Sequence, residues 1–281
     1  MKVLVTGSNG QLGKSFKDNL QGIDISNFLF LSSSELDITN EYQLKRFFEN
    51  NKLDYVVNCA AYTNVELAEE EEEKCFLVNA TAVKYLAEQC LLHDVILIHI
   101  STDYVFDGNK QTPYEETDVT NPLNSYGRSK LKGEELIDSI LNKYFIIRTS
   151  WLYSKDHGNN FFKFVMTSLE SEKEIHILDN QFGSPTNTVE LVKMIALIIK
   201  TKNSNYGLYH FSEEGLTNWY EYAKAIANEY YPSKKHLIKA TNSFPTKAKR
   251  AKYSKLSNEK IKKVLSVEIP NWKESLAKKM N

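Results

Sequence analysis

Short apolar runs alternate with segments of helical periodicity along the first half of the chain. The runs are typical of strands buried on both faces, and they cover residues 3–6, 28–31, 55–58, 95–100 and 144–148. Between them, apolar residues recur at helical spacing over residues 11–20, 40–50, 69–92 and 125–141. The alternation predicts an α/β fold, a Rossmann-type doubly wound parallel sheet with right-handed crossovers. Such a sheet binds ligands at the carboxyl ends of its strands.

The pattern loosens after residue 148. Residues 151–160 predict a loop, and 234–250 are basic and irregular. The remaining segments predict helices at 161–169, 189–200 and 219–231, a last sheet strand at 207–212, and a short helical tail. We therefore expect an NAD(P)-binding Rossmann domain at 1–150, to which 185–212 return. A smaller, discontinuous C-terminal substrate-binding domain is expected from 151–184 and 213–281.

Composition narrows the class of partner. Of the 281 residues, 42% are hydrophobic and 25% charged, with a formal net charge of -1. This balance argues against a nucleic acid or a polybasic membrane contact, and no apolar run reaches bilayer length. The three cysteines show neither metal-ligand spacing nor a disulfide framework. We expect a cytoplasmic protein without a metal site.

Three glycines follow the first predicted strand directly and open the first helix. Gly7 permits a tight turn, Gly10 lets the backbone approach a pyrophosphate, and Gly13 lets helix and strand pack closely. The N-terminus of the helix offers free N–H groups to phosphate. The spacing predicts a dinucleotide site, although a glycine-rich turn alone is a weak signal.

The end of the second strand bears on the choice of cofactor. An acidic residue there would hold the adenosine ribose of NAD, whereas this sequence has Ser32. A hydroxyl can hold a 2′-phosphate and no carboxylate is expected to repel it, so NADPH is preferred and NADH stays an alternative. A plain polar loop explains Ser32 equally well. Asp37 lies either near the adenine or at the cap of the next helix.

Tyr126 and Lys130 share one face of the predicted helix over 125–141. A nearby ammonium lowers the pKa of a phenol, which makes the pair a proton donor and acceptor for carbonyl–alcohol interconversion. The strand before it ends in residues 101–103, where the hydroxyl of Ser101 or Thr102 can polarise a carbonyl oxygen. Asp103 either binds sugar hydroxyls or caps a turn.

Together these motifs resemble a known family. The sequence is similar over nearly its whole length to the dTDP-4-dehydrorhamnose reductases, which are extended short-chain dehydrogenases. The matching segments are 6–13 (TGSNGQLG), 36–39 (LDIT), 58–63 (NCAAYT), 101–106 (STDYVF), 122–127 (PLNSYG), 148–151 (RTSW), 158–161 (GNNF) and 181–186 (QFGSPT).

The resemblance implies reduction of the C4 keto group of dTDP-4-dehydro-L-rhamnose by NADPH or NADH, for cell-surface polysaccharide. It implies that Tyr126 donates the proton, that Lys130 lowers the pKa of Tyr126 and binds ribose, and that Thr102 orients the keto oxygen. Asp103 and Trp151 would contact the sugar. The implied cofactor contacts are Gly10, Gln11, Leu12, Asp37, Ile38, Ala61, Tyr62 and Thr63, and the small Ala60 lets the dinucleotide cross the tip of the third strand.

Two departures from the family pattern affect the metal and the diphosphate. Some members dimerise through magnesium held by glutamates, one of them in the first helix. Here that position is Ser15, so magnesium is not carried over, although a homodimer remains compatible with the resemblance. The family's Arg-Pro near the C-terminus is Arg250–Ala251 here. Arg250 is still expected to meet the diphosphate, since a guanidinium suits phosphate.

Two alternatives stay open. A related nucleotide-sugar reductase or epimerase would use the same Tyr–Lys pair, but an epimerase returns its cofactor unchanged. A non-catalytic regulatory subunit of the same fold would not oxidise the cofactor with a keto-sugar nucleotide. Trp219 and Trp272 are predicted to be packing anchors, and His99 and His210 to be core or sheet-end residues.

Overall fold

The computed structural model describes residues 1–20 and 24–278 of the chain; residues 21–23 and 279–281, which belong to the two expected domains, lie outside that part. The strands are Val3–Thr6 (β1), Phe28–Leu31 (β2), Tyr55–Asn58 (β3), Ile96–Thr102 (β4), Tyr144–Thr149 (β5), Leu152–Tyr153 (β6), Ile175–Leu178 (β7), Phe182–Gly183 (β8), Thr186–Asn187 (β9), Gly207–His210 (β10), Thr217–Asn218 (β11) and Ile238–Thr241 (β12). The α-helices are Gln11–Asn19 (α1), Glu41–Asn50 (α2), Glu72–Phe76 (α3), Ala82–Leu92 (α4), Ser125–Ile140 (α5), Phe161–Glu170 (α6), Thr188–Lys200 (α7), Trp219–Tyr230 (α8), Glu259–Leu265 (α9) and Trp272–Ala277 (α10).

Six strands form one parallel sheet in the order β2-β1-β3-β4-β5-β10. The chain builds outward from β1 to β2, then reverses and builds from β3 to β10. The reversal leaves a crevice between β1 and β3, where the connections leave in opposite directions. The predicted doubly wound Rossmann-type fold is confirmed.

Each face of the sheet carries its own apolar core. On one face, Phe16 of α1 and Ile195 of α7 pack on β1 and β5 residues such as Val5 and Ile147. On the other, α2, α4 and α5 cover the sheet with residues that include Leu44 and Leu86. Burial on both faces explains why the strands are continuous apolar runs in sequence.

A separate apolar cluster lies among α6, α8, α10 and the parallel pair β7–β12. Its central residues include Val165, Tyr222, Ile226 and Trp272, all buried. The expected division into domains stays a prediction; this separate core, made of segments after residue 151, supports it. Trp272 is a packing residue, as predicted.

The region 69–92, predicted to be helical, is helical from Glu72 to Leu92, with a π-helical turn at Leu77–Thr81 between α3 and α4 that the sequence did not predict. Two local predictions were wrong. The predicted loop at 151–160 contains β6, which pairs with β9. The basic segment 234–250 is not irregular throughout, since β12 pairs with β7, which the sequence did not indicate. In the described ranges, no helix combines the length and apolarity that crossing a bilayer requires.

Candidate active site

A cavity of about 430 Å³ opens where the carboxyl ends of β1, β3, β4 and β5 meet. It brings together twelve of the residues considered from the sequence: Gly10, Gln11, Leu12, Ala60, Ala61, Thr63, Ser101, Thr102, Asp103, Tyr126, Lys130 and Trp151. A smaller recess adjoins it and is lined by Asp103, Trp151 and Arg250. The site is thus continuous from the glycine-rich turn to the segments after β5.

The turn after β1 requires glycine on steric grounds. Gly7 has a φ of 64°, and a Cβ there would lie 2.6 Å from the backbone nitrogen of Ala60. A Cβ on Gly13 would lie 2.5 Å from the carbonyl oxygen of Gly7. Gly10 occupies the N-cap of α1 and no side chain caps the helix there. The first N–H groups of α1 therefore remain available to an anion in the cavity.

Tyr126 lies in the first turn of α5, which Asn124 caps by accepting a 2.8 Å hydrogen bond from Gly127 N. Gly127 is needed because a Cβ would lie 2.3 Å from the carbonyl oxygen of Tyr104. The predicted lowering of the Tyr126 pKa is not found. Burial raises the pKa of Tyr126 above its usual range, and only the neighbouring Thr102 side chain works in the opposite direction among the main contributions.

Thr102 and Ser101 end β4 and point to opposite faces of the strand. Both residues line the cavity, but the Ser101 hydroxyl is already engaged as a donor to the buried carboxylate of Glu134. Thr102 lines the cavity and contacts Asp103 Oδ1 at 3.2 Å. Of the two hydroxyls considered for polarising the substrate, the geometry favours Thr102.

Asp103 is buried between the cavity and the recess. Burial raises its pKa to about 6, while hydrogen bonds from Ser254 and Thr102 partly oppose that rise. A carboxyl group so placed can accept or donate a hydrogen bond near neutral pH.

Lys130 occupies the floor of the cavity and is only 2% exposed. Its Nζ donates to the carbonyl oxygen of Ile100 at 2.6 Å and contacts Nε2 of the buried His99 at 3.1 Å. Burial lowers the pKa of Lys130 to about 8, although Glu134 opposes the effect. The sequence did not predict the contact between His99 and Lys130; it predicted His99 only as a core or sheet-end residue.

Trp151 and Trp219 form a parallel stack, with ring centroids 3.6 Å apart, on the cavity wall. Trp151 has a φ of 46°, and Gly183 makes room for its indole, since a Cβ there would lie 2.9 Å from it. Trp219 was predicted to be a packing anchor, and it does pack against the cluster of α6, α8 and α10. It also lines both the cavity and the recess, which the sequence did not predict. The stacking partner lies far away in sequence and gave no local signal.

Arg250 lies in the recess with its Nη2 2.5 Å from Glu66 Oε1. Its Nη1 is buried and has no hydrogen-bond partner among the described residues. The neighbouring Lys247 pairs with Glu70, and its backbone nitrogen donates to Glu66 at 2.7 Å. The basic segment is thus tied to the acidic stretch after β3 rather than solvated throughout.

The remaining predicted cofactor residues do not line the cavity. Gly7 and Gly13 shape the turn. Asp37 Oδ1 accepts hydrogen bonds within its own turn, from the Thr39 N–H (2.9 Å) and hydroxyl (2.7 Å), and α2 is capped instead by Asn40. Ile38 is buried in the core.

Of two expectations about polar groups near the cofactor side, the contact of Tyr62 with the cofactor stays a prediction, and the absence of a carboxylate at the end of β2 was wrong. The Tyr62 hydroxyl turns away from the cavity and donates to Glu71 at 2.9 Å, and burial raises the pKa of Tyr62 to about 12. The end of β2 does carry a carboxylate. Glu35 reaches back and accepts hydrogen bonds from the Ser32 backbone (2.8 Å) and hydroxyl (2.6 Å).

The described residues contain no group of three or more His, Cys, Asp or Glu side chains that could hold a metal ion. Ser15, the position considered for magnesium, is buried and donates to the Thr188 hydroxyl at 2.8 Å. It therefore faces α7 in the interior.

Comparison with known proteins identifies the family. A family model described as the RmlD substrate binding domain matches residues 1–281. The chain belongs to this family. It is 36% identical to the dTDP-4-dehydrorhamnose reductase of Aggregatibacter actinomycetemcomitans, over 98% of this chain and 97% of that one. It is 33% identical to the Escherichia coli reductase of the same name, over 100% and 97% of the two chains. The resemblance seen in the sequence is confirmed.

Solved structures of this family share the fold. A dTDP-4-dehydrorhamnose reductase from Clostridium acetobutylicum superposes with a TM-score of 0.92 at 36% identity, over 99% of this chain and 97% of that one. One from Bacillus anthracis, solved with NADP, gives 0.91 at 36% identity, with 98% of each chain covered. A dTDP-glucose 4,6-dehydratase from Streptomyces venezuelae is 17% identical over 99% and 95% of the chains with a TM-score of 0.84, a likeness of fold alone.

Proposed function

We propose that this protein is an oxidoreductase that reduces the C4 keto group of dTDP-4-dehydro-L-rhamnose to dTDP-L-rhamnose, with NADPH as reductant. Membership of the RmlD family and full-length similarity to reductases of that name support the reaction. The observation that carries the proposal is the convergence of Thr102, Tyr126 and Lys130 on one cavity beside a glycine-rich turn.

The residues present fit a dinucleotide. The uncapped N-terminus of α1 at Gly10–Leu12 would hold the phosphates, and Ala60, Ala61 and Thr63 would lie along the passage over β3. NADPH, when bound, supplies the hydride. The NADP complex of the Bacillus anthracis relative supports NADPH rather than NADH, whereas the carboxylate of Glu35 near Ser32 is the feature that favours NADH.

The chain's own groups supply the proton and the orientation. Thr102, whose hydroxyl donates to Asp103 Oδ1 in this structure, would turn its single O–H to the C4 oxygen when substrate binds and so polarise the carbonyl. The Tyr126 Oη–H would then give its proton to that oxygen as negative charge develops on it. Lys130, below the cavity, would stabilise the phenolate while charged. Asp103 and Trp151 would position the sugar, and Arg250 the diphosphate.

The test is loss of NADPH absorbance when the purified protein is given dTDP-4-dehydro-L-rhamnose, repeated with NADH. We expect turnover by the wild type and a fall of roughly 10²–10⁴-fold in Tyr126→Phe. Tyr85→Phe is the control, because Tyr85 is half-buried on α4 and does not line the cavity. Cofactor binding without oxidation, by a folded protein, would contradict the proposal; sugar conversion without net oxidation would indicate an epimerase.

Two further properties are part of the proposal. We place the protein in the cytoplasm, which is supported by three free thiols and by a reaction that uses a nucleotide sugar.

We also propose a homodimer, supported by dimerisation within the family that the sequence resembles. Light scattering will give the molar mass in solution, and a monomer at micromolar concentration would refute the dimer.

A further inference from the structure

Four buried polar side chains form a chain of contacts from β1 to α5. Thr6 Oγ1 donates to Asn58 Oδ1 at 2.7 Å, and Asn58 Nδ2 lies 3.1 Å from Nδ1 of His99. His99 Nε2 in turn lies 3.1 Å from Lys130 Nζ. All four residues are at most 2% exposed, so water does not compete for these contacts.

The backbone fixes which way the Asn58 amide points. The Ala60 N–H, which can only donate, is directed at Asn58 Oδ1 at 3.2 Å. The amide nitrogen of Asn58 must therefore face His99, and because it has no lone pair to offer, Nδ1 of His99 must be the acceptor. Burial and the nearby Lys130 hold the pKa of His99 well below its usual range. The neutral ring then carries its proton on Nε2.

The Nε2–H group of His99 points at Lys130 Nζ. An ammonium group has three donors and no acceptor, whereas a neutral amine has a lone pair that can accept this hydrogen bond. We propose, on the basis of the reductase function above, that His99 is a positioning residue that favours the neutral amine of Lys130 and so sets the pH at which the enzyme loses the Lys130 charge. The Asn58–Ala60 contact fixes the ring tautomer that does this.

The other groups around Lys130 do not remove this effect. Glu134, one turn further along α5, favours the ammonium form, but its carboxylate is held by Arg148 of β5 at 2.6 and 3.0 Å. The thiols of Cys59 and Cys75 have raised pKa values because of burial and are therefore uncharged at neutral pH. Ile100 offers Nζ only a carbonyl oxygen, which accepts from either form of the amine.

The sign of the effect follows from the role of the lysine charge. In the function proposed above, the Lys130 ammonium would stabilise the Tyr126 phenolate that forms as the proton leaves, so reduction would slow as pH rises and Lys130 becomes neutral. Replacing His99 with Gln removes the Nε2–H donor and presents an amide oxygen that can accept from an ammonium. Because the charged form of Lys130 is then favoured, the alkaline limb of kcat/KM should move to higher pH by about one unit.

Two measurements test the inference. In two-bond ¹H–¹⁵N spectra of the histidine rings, with the His99 signals assigned by their loss in His99→Gln, His99 should be the neutral Nε2–H tautomer from pH 6 to 9. In pH–rate profiles, the alkaline limb should move upward in His99→Gln and in His99→Phe, but not in the control His93→Gln. His93 follows the C-terminus of α4 and contacts Phe48 rather than Lys130.

The outcomes separate this inference from the proposed function. An Nδ1–H tautomer or an imidazolium ring overturns the inference whether or not the protein is a reductase, and this readout also decides the matter if a variant fails to fold. An unmoved alkaline limb in an active His99→Gln enzyme overturns it as well. Failure of the wild type to oxidise NADPH sinks the reductase proposal and leaves the tautomer result standing.

Discussion

Adjacent residues at the end of β4 line the cavity but have different partners. The Ser101 hydroxyl donates to the buried carboxylate of Glu134, whereas the Thr102 side chain is a hydrogen-bond neighbour of Tyr126. Thr102→Val keeps the shape but removes the hydroxyl, so we expect kcat to fall by about 10²-fold, as for other donors to a developing oxyanion. Steady-state NADPH oxidation measures this fall.

The matched variant is Ser101→Ala. It removes a buried hydrogen bond to a carboxylate, so it should lower the free energy of unfolding by about 1–3 kcal/mol while kcat stays near the wild-type value. Equal losses of kcat in both variants would mean that the strand end acts as a whole and that Thr102 has no separate role.

The stacked indoles of Trp151 and Trp219 lead to a prediction about substrate affinity. Aromatic pairs contribute roughly 0.5–1.5 kcal/mol beyond their buried area, and this pair lies on the wall beside Asp103. We expect Trp219→Leu to raise KM for the sugar nucleotide about tenfold with a smaller change in kcat. Trp272→Phe, in the core among α8 and α10, should lower the free energy of unfolding and leave KM unchanged. A Trp219→Leu enzyme with lowered stability and an unchanged KM would show that Trp219 serves only in packing.

At the scale of elements, the sequence predicted whatever is encoded locally. The buried strands and the glycine turn are visible because apolar runs and steric limits act within a few residues. The pairing of β7 with β12 was missed because its two strands are remote in sequence and one lies in a basic segment. The position of Trp219 beside Trp151 likewise depends on how the chain returns on itself, which periodicity does not encode. The Glu35–Ser32 contact is local, but it depends on the conformation of the turn after β2, which periodicity does not encode either.

The π-helical turn at Leu77–Thr81, which the sequence did not predict, packs against α5. Asn79 in this turn donates to the Tyr62 carbonyl oxygen and to the Ser129 hydroxyl, both at 3.0 Å. Gly133 of α5 lies against the same turn, and a Cβ on it would be 2.3 Å from the Asn79 carbonyl oxygen. The helix that carries Tyr126 and Lys130 therefore rests directly on the backbone of this turn.

Gly133→Ala must separate α5 from the π-helical turn. Because the clash is with backbone atoms, we expect the free energy of unfolding to fall by roughly 1–3 kcal/mol, measured by urea denaturation, and kcat to fall as Tyr126 shifts. Ser139→Ala, on an exposed position of the same helix, is the control and should change neither quantity. An unchanged stability in Gly133→Ala would show that the two elements can move apart freely.

At the scale of the whole molecule, the buried carboxyl group of Glu213 connects the segment after β10 with the start of α7. Glu213 follows β10 and is fully buried, and its carboxylate accepts a 3.2 Å hydrogen bond from Asn187 N at the start of α7. Its Oε1 has no hydrogen-bond partner in the described part of the chain. Burial raises the pKa of Glu213 to about 7 from an ordinary value of 4.5, so the folded state keeps a proton that the unfolded chain has lost.

The pH dependence of stability follows with a definite sign. Between pH 4.5 and 7 the folded protein binds more protons at Glu213 than the unfolded chain does, so this residue makes stability fall as pH rises. Glu213→Gln removes the titration and keeps an acceptor for Asn187. Relative to the wild type, the variant should therefore gain on the order of 2 kcal/mol between pH 5 and pH 8, measured by urea denaturation at both values. Glu259→Gln, at an exposed carboxylate, should show no such gain; an equal change in both variants would mean that Glu213 ionises in the folded protein as readily as a surface residue.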